Sequence, residues 1–347
     1  MKKLLRIRFF GSQSDNLKSK IENLKSAVVF GIVLTFAFGG AVAHAQPAKV
    51  VRIGFLGPTS AASNVARMEA LRAGLRDLGY LEGKNLVIES RWAEGKFDRL
   101  PELAAELVRL NVDVILTAGT PGIRAAKNAT TTIPVVMVTS GDPVAFGFVA
   151  SLARPGGNIT GASTFSPELS AKRLDLLKEI LPRTQRVAVL FNPDNSINDR
   201  NLPAMEQTAK LLKIGLQRFE VREPDEFKNA FSKMTKQRVD AVALPEDDFL
   251  NANQKLIVEL AAKHRVPSIG REVFAEAGGL VGYAVNIVDL YRRAAIFVDK
   301  ILKGAKPADI PVEQPMKFEF FINLKTAKQL AVTIPPNVLA RADKVIK

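Results

Sequence analysis

The chain has 347 residues, 47% of them hydrophobic and 24% charged, which is ordinary globular composition and long enough for about two domains. It has no cysteine, which excludes disulfides, thiol nucleophiles and thiolate metal sites together, and its two histidines, His44 and His264, supply little for metal or acid–base chemistry. Of the net charge of +14, residues 1–45 hold seven Lys and Arg against two acids; the rest is scattered among acids, as in Arg67-Met68-Glu69 and Lys172-Arg173-Leu174-Asp175, without the basic cluster and interleaved aromatics of a nucleic-acid surface.

Residues 27–43 run without a charge, after Lys18, Lys20 and Lys25 and before Ala43-His44-Ala45. A charged head, an apolar middle and small residues at the first and third positions before a cut make a secretory signal over 1–45, with cleavage after Ala45 and a periplasmic product. A retained membrane anchor is the alternative, because about 17 apolar residues is the short limit of a span. The head is unusually long, so either translation starts later or the extension is tolerated. No cysteine follows the apolar run, which excludes lipid attachment there.

Behind the signal the chain passes twice through one pattern. The first pass predicts a buried strand at 50–56 ending in Gly57-Pro58-Thr59-Ser60, and a helix with Met68, Leu71, Leu75 and Leu78 at helical spacing, stopped by Gly79. A strand at 85–91, a helix at 98–110, a strand at 112–116, a helix opened by Gly119-Thr120-Pro121 and a strand at 133–138 follow. The second pass gives a strand at 186–191, a helix at 198–212, a strand at 216–221, a helix at 225–236, a strand at 239–244, one helix from 245–248 to His264, and a strand at 266–270. Val239-Asp240-Ala241-Val242 matches the earlier Val112-Asp113-Val114-Ile115. Apolar strands alternating with helices imply parallel sheets covered on both faces, here two similar doubly wound lobes of an α/β protein.

In such sheets ligands bind beyond the carboxyl ends of the strands. Facing lobes bring six loops to one cleft: 57–60, 118–121 and 139–143 from one, and 192–195, 245–248 and 270–272 from the other. The candidate ligand-binding residues are Thr59, Ser60, Gly119, Thr120, Ser140, Gly141, Asp142, Asn192, Asn195, Asp247, Asp248, Glu272 and Tyr283. Each loop taken alone also suits an ordinary turn, whose residue preferences are the same. Helix-opening N–H groups favour an anion, and Asp142, Asp247, Asp248 and Glu272 offer carboxylates to a cation, so the set fits a zwitterion such as an amino acid.

Ile53-Gly54-Phe55-Leu56-Gly57, Leu71-Arg72-Ala73-Gly74-Leu75-Arg76-Asp77-Leu78-Gly79-Tyr80 and Glu94-Gly95-Lys96-Phe97-Asp98-Arg99-Leu100 resemble the ABC-transporter substrate-binding family that includes tryptophan/tyrosine-type uptake receptors. So does the stretch from Asp142-Pro143-Val144 through Arg154-Pro155-Gly156-Gly157-Asn158-Ile159-Thr160-Gly161, and the resemblance covers about 49–346. It implies a type I periplasmic binding protein: two lobes joined by a three-segment hinge, non-covalent capture of a small polar solute, and delivery to a permease with its ATPase. Three crossings are then expected at 154–158, 278–286 and 318–323, giving lobes of 48–157 with 286–322, and 158–285 with 323–347.

Trp92, the only tryptophan, sits at a strand end beside charged residues and reads as a surface or rim residue. Phe191 and Phe249 border the cleft loops and are the expected apolar walls should the ligand be aromatic, while Phe318 and Phe320 read as core. No cofactor, metal or nucleic-acid partner is expected, contact with the membrane runs only through the permease, and the protein is expected to be a monomer. Nucleotide-loop and nucleophile-elbow patterns are missing, so an exported enzyme is a remote alternative. A receptor handing its ligand to a separate membrane sensor is another.

Overall fold

The first strand, β1 (Val51–Gly57), is buried over its last five residues, as an apolar run without alternation requires of a strand covered on both faces. The computed structural model describes residues 50–315 and 318–347, so the expected export signal lies outside the described residues. Helix α1 (Val65–Asp77) follows, then β2 (Leu86–Trp92), α2 (Leu100–Arg109), β3 (Val114–Ala118), α3 (Gly119–Ala129), β4 (Val135–Ser140) and β5 (Ile159–Ser163). These strands form one parallel sheet in the order β2-β1-β3-β4-β5. The pleat sends Val136 and Val138 to the face covered by Leu71 and Leu75 of α1, and Val135 and Met137 to the face covered by Leu103 and Leu107 of α2 and Ile123 of α3.

The second pass supplies α4 (Ser166–Ile180), β6 (Arg186–Phe191), α5 (Asn198–Leu211), β7 (Gly215–Glu220), α6 (Glu226–Lys236), β8 (Ala241–Ala243), α7 (Asp248–Ala252), α8 (Gln254–Lys263) and β9 (Ser268–Gly270). Then come α9 (Glu272–Glu276), β10 (Val281–Val285), α10 (Ile287–Leu302), β11 (Phe318–Asn323), α11 (Leu324–Gln329), α12 (Pro336–Leu339) and β12 (Lys344–Ile346). The second sheet runs β12-β11-β10-β9-β8-β6-β7. Its neighbours are parallel except for β10 and β11, which pair antiparallel from Val281↔Ile322 to Val285↔Phe318. Val187, Val189 and Phe191 face one core with Leu177 and Met205, while Ala188 and Leu190 face the other with Phe227 and Phe231.

The expected two lobes are there, but two of the three crossings move. The stretch 154–158 is a surface turn in the first lobe, tied back by Ala150 N donating to Pro155 O at 2.9 Å and Gly156 N to Ala308 O at 3.2 Å. The next five residues are β5, which pairs with β4 in the first sheet. The chain leaves that sheet after Ser163, through Thr164 and through Phe165 at φ 52°. It returns between β10 and α10. Helix α10 buries Leu290, Tyr291, Ala294 and Phe297 in the core shared with α1. The third passage precedes 318–323, because that segment is β11 and its ladder with β10 fixes it in the second sheet.

The helix expected from 248 to His264 is two, α7 and α8, broken at Asn253. Asn253, at φ −101° and ψ 13°, departs from helical geometry, and its side chain donates to Phe249 O at 2.8 Å beside its backbone N–H at 3.2 Å.

Candidate ligand-binding site

The carboxyl ends of the two sheets face each other across a narrow cleft that opens to solvent. The first lobe contributes Gly119 and Thr120 from the start of α3, Thr139 and Gly141 from the end of β4, and Thr164 from the crossing. The second contributes Ser166, Asn195, Ile197, Arg271, Asn251 and the run Glu246-Asp247-Asp248; Ile287 closes the lining at the hinge.

The lobes touch here. Gly119 has φ +74°, and a Cβ on it would lie 2.3 Å from Asp248 Oδ2 of the other lobe, so only glycine admits that carboxylate. Gly141 lies equally close under Ile197. At the rim, Arg200 of α5 donates to Asp142 Oδ2 at 3.2 Å.

Beneath the lining lies a buried chain of charges. Arg173 of α4 is fully buried; it donates to the Glu246 carboxylate, to Leu244 O at 2.7 Å and to Tyr283 O at 3.0 Å. One side chain thus ties the hinge strand β10 to the loop after β8. Arg271 stands 3.5 Å from Glu246 Oε2 and 3.4 Å from Glu272 Oε1. Burial works against the Glu246 charge, but Arg173 and Arg271 outweigh it and hold its pKa below the usual carboxylate value. Asp248 is shifted the other way: burial raises it, with Glu246 adding to the rise and Arg67 and Arg271 opposing it. Burial pushes Asp247 up from 3.8 to about 6, against the hydrogen bonds it receives from Asn198, Phe249 and Leu250.

Of the thirteen residues singled out in the sequence, Gly119, Thr120, Gly141, Asn195, Asp247 and Asp248 line the cleft. Ser140 is buried between two lining residues. The others are engaged elsewhere. Thr59 Oγ1 accepts from Asn64 Nδ2 at 2.8 Å, and Ser60 Oγ sits 3.3 Å from Ser63 Oγ, so both close the turn into α1. Asn192 Oδ1 accepts from Asp194 N, Asp142 pairs at the rim and Glu272 pairs with Arg271. Tyr283 stacks on Phe318 at 5.9 Å and borders the cores of both lobes.

The expected apolar walls turn away. Phe191 packs into the second-lobe core, and Phe249 stacks on Phe227 at 5.7 Å. Trp92, expected at the surface or rim, is half-buried, lying 5.1 Å from Phe55 and directly over Gly57.

Sequence reasoning missed Thr164 and Ser166 because it ended the first sheet at β4; the strand after Pro155-Gly156-Gly157 was the available signal. It also passed over Arg271 and Glu246, which lie in two of the loops it assigned to the cleft.

Residues 52–346 match the model of the family described as ABC transporter substrate binding protein. The chain is 28% identical over 258 residues to the tyrosine-binding protein of Clostridioides difficile (strain R20291), covering 74% of each. Among solved structures, a conserved domain protein from Vibrio cholerae superposes with a TM-score of 0.80 at 28% identity, over 86% of this chain and 100% of that one. An ABC domain from Streptococcus pneumonia in complex with L-Trp gives 0.79 at 27% identity, over 85% and 99%. The architecture is the type I periplasmic binding protein fold, and the chain belongs to the ABC transporter substrate-binding protein family.

Proposed function

We propose that this protein is the exported, solute-capturing component of an ABC importer and that its ligand is an amino acid or a closely related zwitterion. The observation that carries the reading is the cleft: Arg271, buried, and the half-buried Asp248 carboxylate both line it, and Gly119 and Asp248 meet across it from opposite lobes. A ligand drives closure only by binding the closed state better, and contacts offered by both lobes supply that difference. The family is one of solute-binding proteins rather than enzymes. The tyrosine-binding relative and the L-Trp complex support an amino acid as the class of ligand.

Of the four carboxylates considered from the sequence for the ligand ammonium, Asp142, Asp247 and Glu272 already have partners at the rim, at a helix start and on Arg271. Asp248 is the acceptor we propose, with Thr120 and Asn195 as further contacts. Calorimetry with the twenty amino acids should find a ligand, and Asp248→Asn should weaken it roughly 10- to 100-fold, the weight of a hydrogen bond to a charged group. Unchanged affinity in that variant would overturn the ammonium assignment, and binding of none of the twenty would overturn the amino-acid reading. Export predicts a mature protein beginning at Gln46, read by mass spectrometry of the secreted chain. Delivery to a permease predicts ligand uptake that stops when the gene is deleted.

A further inference from the structure

We infer that the amino acid taken by this cleft carries a short side chain with a neutral hydrogen-bond acceptor, a hydroxyl or a carboxamide, and not an aromatic ring. The inference rests on the reading of the cleft as an amino-acid site and names the class within it.

Two lining residues carry buried polar atoms without a hydrogen-bond partner among the described residues: Thr120 Oγ1, in a residue 1% exposed, and Arg271 Nε, in a residue 4% exposed. Ser140 Oγ, between lining residues Thr139 and Gly141, is a third. Buried polar groups in proteins are almost always paired, so these atoms call for a partner that enters the cleft. An apolar side chain or the face of a ring set against them would leave them unpaired. A site built to hydrogen-bond its substrate rejects an analogue lacking the group far more strongly than an apolar pocket rejects a misfit.

The polarity of the missing partner follows from the donors. Arg271 Nε carries an N–H, so the ligand must offer an acceptor. The terminal nitrogens of Arg271 already lie near Glu246 and Glu272, which answer its charge, so the acceptor is neutral rather than a second carboxylate. The Thr120 hydroxyl serves equally as donor or acceptor.

The walls agree. Ile197 and Ile287 are the large apolar side chains of the lining, and no aromatic residue is part of it. Phe191, Phe249 and Tyr291 are 6%, 5% and 1% exposed and packed into the cores. Asp248 lies over Gly119 and Ile197 over Gly141, where the two lobes meet.

Titrating the protein calorimetrically with L-Ser, L-Thr, L-Asn and L-Gln, and with L-Trp, L-Tyr and L-Leu, tests the inference. At least one of the first four should bind 100-fold tighter than Trp and Tyr. Tighter or equal binding of Trp, Tyr or Leu would overturn the polar assignment and leave the amino-acid reading standing. Binding of none of the seven would overturn the polar assignment too, and a screen of the remaining amino acids would then decide the broader reading. Thr120→Val keeps the shape and removes the unpaired hydroxyl. Its melting temperature without ligand should equal or exceed that of the wild type, while its affinity for the polar ligand falls at least tenfold. A lower melting temperature with unchanged affinity would make the hydroxyl structural and overturn its role.

Discussion

Asp247 is where a carboxylate in the cleft becomes part of the scaffold. Its Oδ1 accepts from Phe249 N at 2.8 Å and Leu250 N at 3.4 Å, capping α7, and its Oδ2 accepts from Asn198 Nδ2 at 2.8 Å. Because burial raises it from 3.8 to about 6, the folded chain keeps a proton there that the unfolded chain gives up. Stability therefore falls as pH rises from about 4 to 6 and levels off above, with up to about 3 kcal/mol at stake from this group. Asp248, also raised, adds a fall of the same sign, whereas Glu246, lowered, contributes stability that is lost on acidification. Asp247→Asn should keep the cap, since asparagine caps as well as aspartate. Asn198 Nδ2 keeps its bond to Asn192 O at 2.9 Å but loses the carboxylate oxygen it meets at 2.8 Å, so the variant starts from a lower stability. Melting temperatures of the variant measured from pH 4 to 7 should fall less steeply than those of the wild type. An unchanged slope would contradict the raised carboxyl.

At the level of elements, what the sequence disclosed depended on how each segment is buried. The strands at 51–57, 114–118, 135–140 and 186–191 were legible because both faces are covered and the residues are nearly all apolar. Strand β5 was not. Ile159-Thr160-Gly161-Ala162-Ser163 is fully buried but small and polar, and it follows a Pro-Gly-Gly turn that looks like a hinge. Its place depends on Gly161, at φ +135°, where a Cβ would lie 2.1 Å from Met137 O. Gly161→Ala should therefore pry β5 from β4 and cost about 2 kcal/mol or more in urea unfolding, combining backbone strain with a clash no side-chain rotation relieves. Retention of wild-type stability would refute the close approach. The cleft loops were legible for the same reason as the strands, since topology alone brings strand ends together. The direction of single side chains was not: Phe249 adjoins the cleft in sequence yet points into the core behind α7. Nor does spacing reveal that Arg173, on a helix behind the sheet, reaches three partners 71 to 110 residues away.

For the whole molecule the question is what holds the lobes shut. The Asp142–Arg200 pair spans the rim, but its side chains are 27% and 52% exposed, and pairs of this kind contribute about 0–1 kcal/mol and weaken with salt. In a double-mutant cycle of Asp142→Asn and Arg200→Gln, ligand affinity should fall by no more than about fivefold, and the coupling should vanish in high salt. A larger, salt-insensitive coupling would place the latch at the rim rather than on the cleft floor. The hinge resists differently. Tyr283 stacks there on Phe318 and meets Phe320 edge-on between the two cores, with ring centroids 5.9 and 6.2 Å away, so rotation of the lobes has to pivot on packed rings.

Trp92 adds a property of a different kind. The only indole in the chain is clamped over Gly57 and against Phe55, within the first lobe. Tryptophan emission is therefore the optical signature of that lobe alone, silent to rigid swinging and altered when β1 and β2 separate. Melting followed by fluorescence and by circular dichroism reports on one lobe and on both, so two halves that look alike in architecture can be watched coming apart in turn.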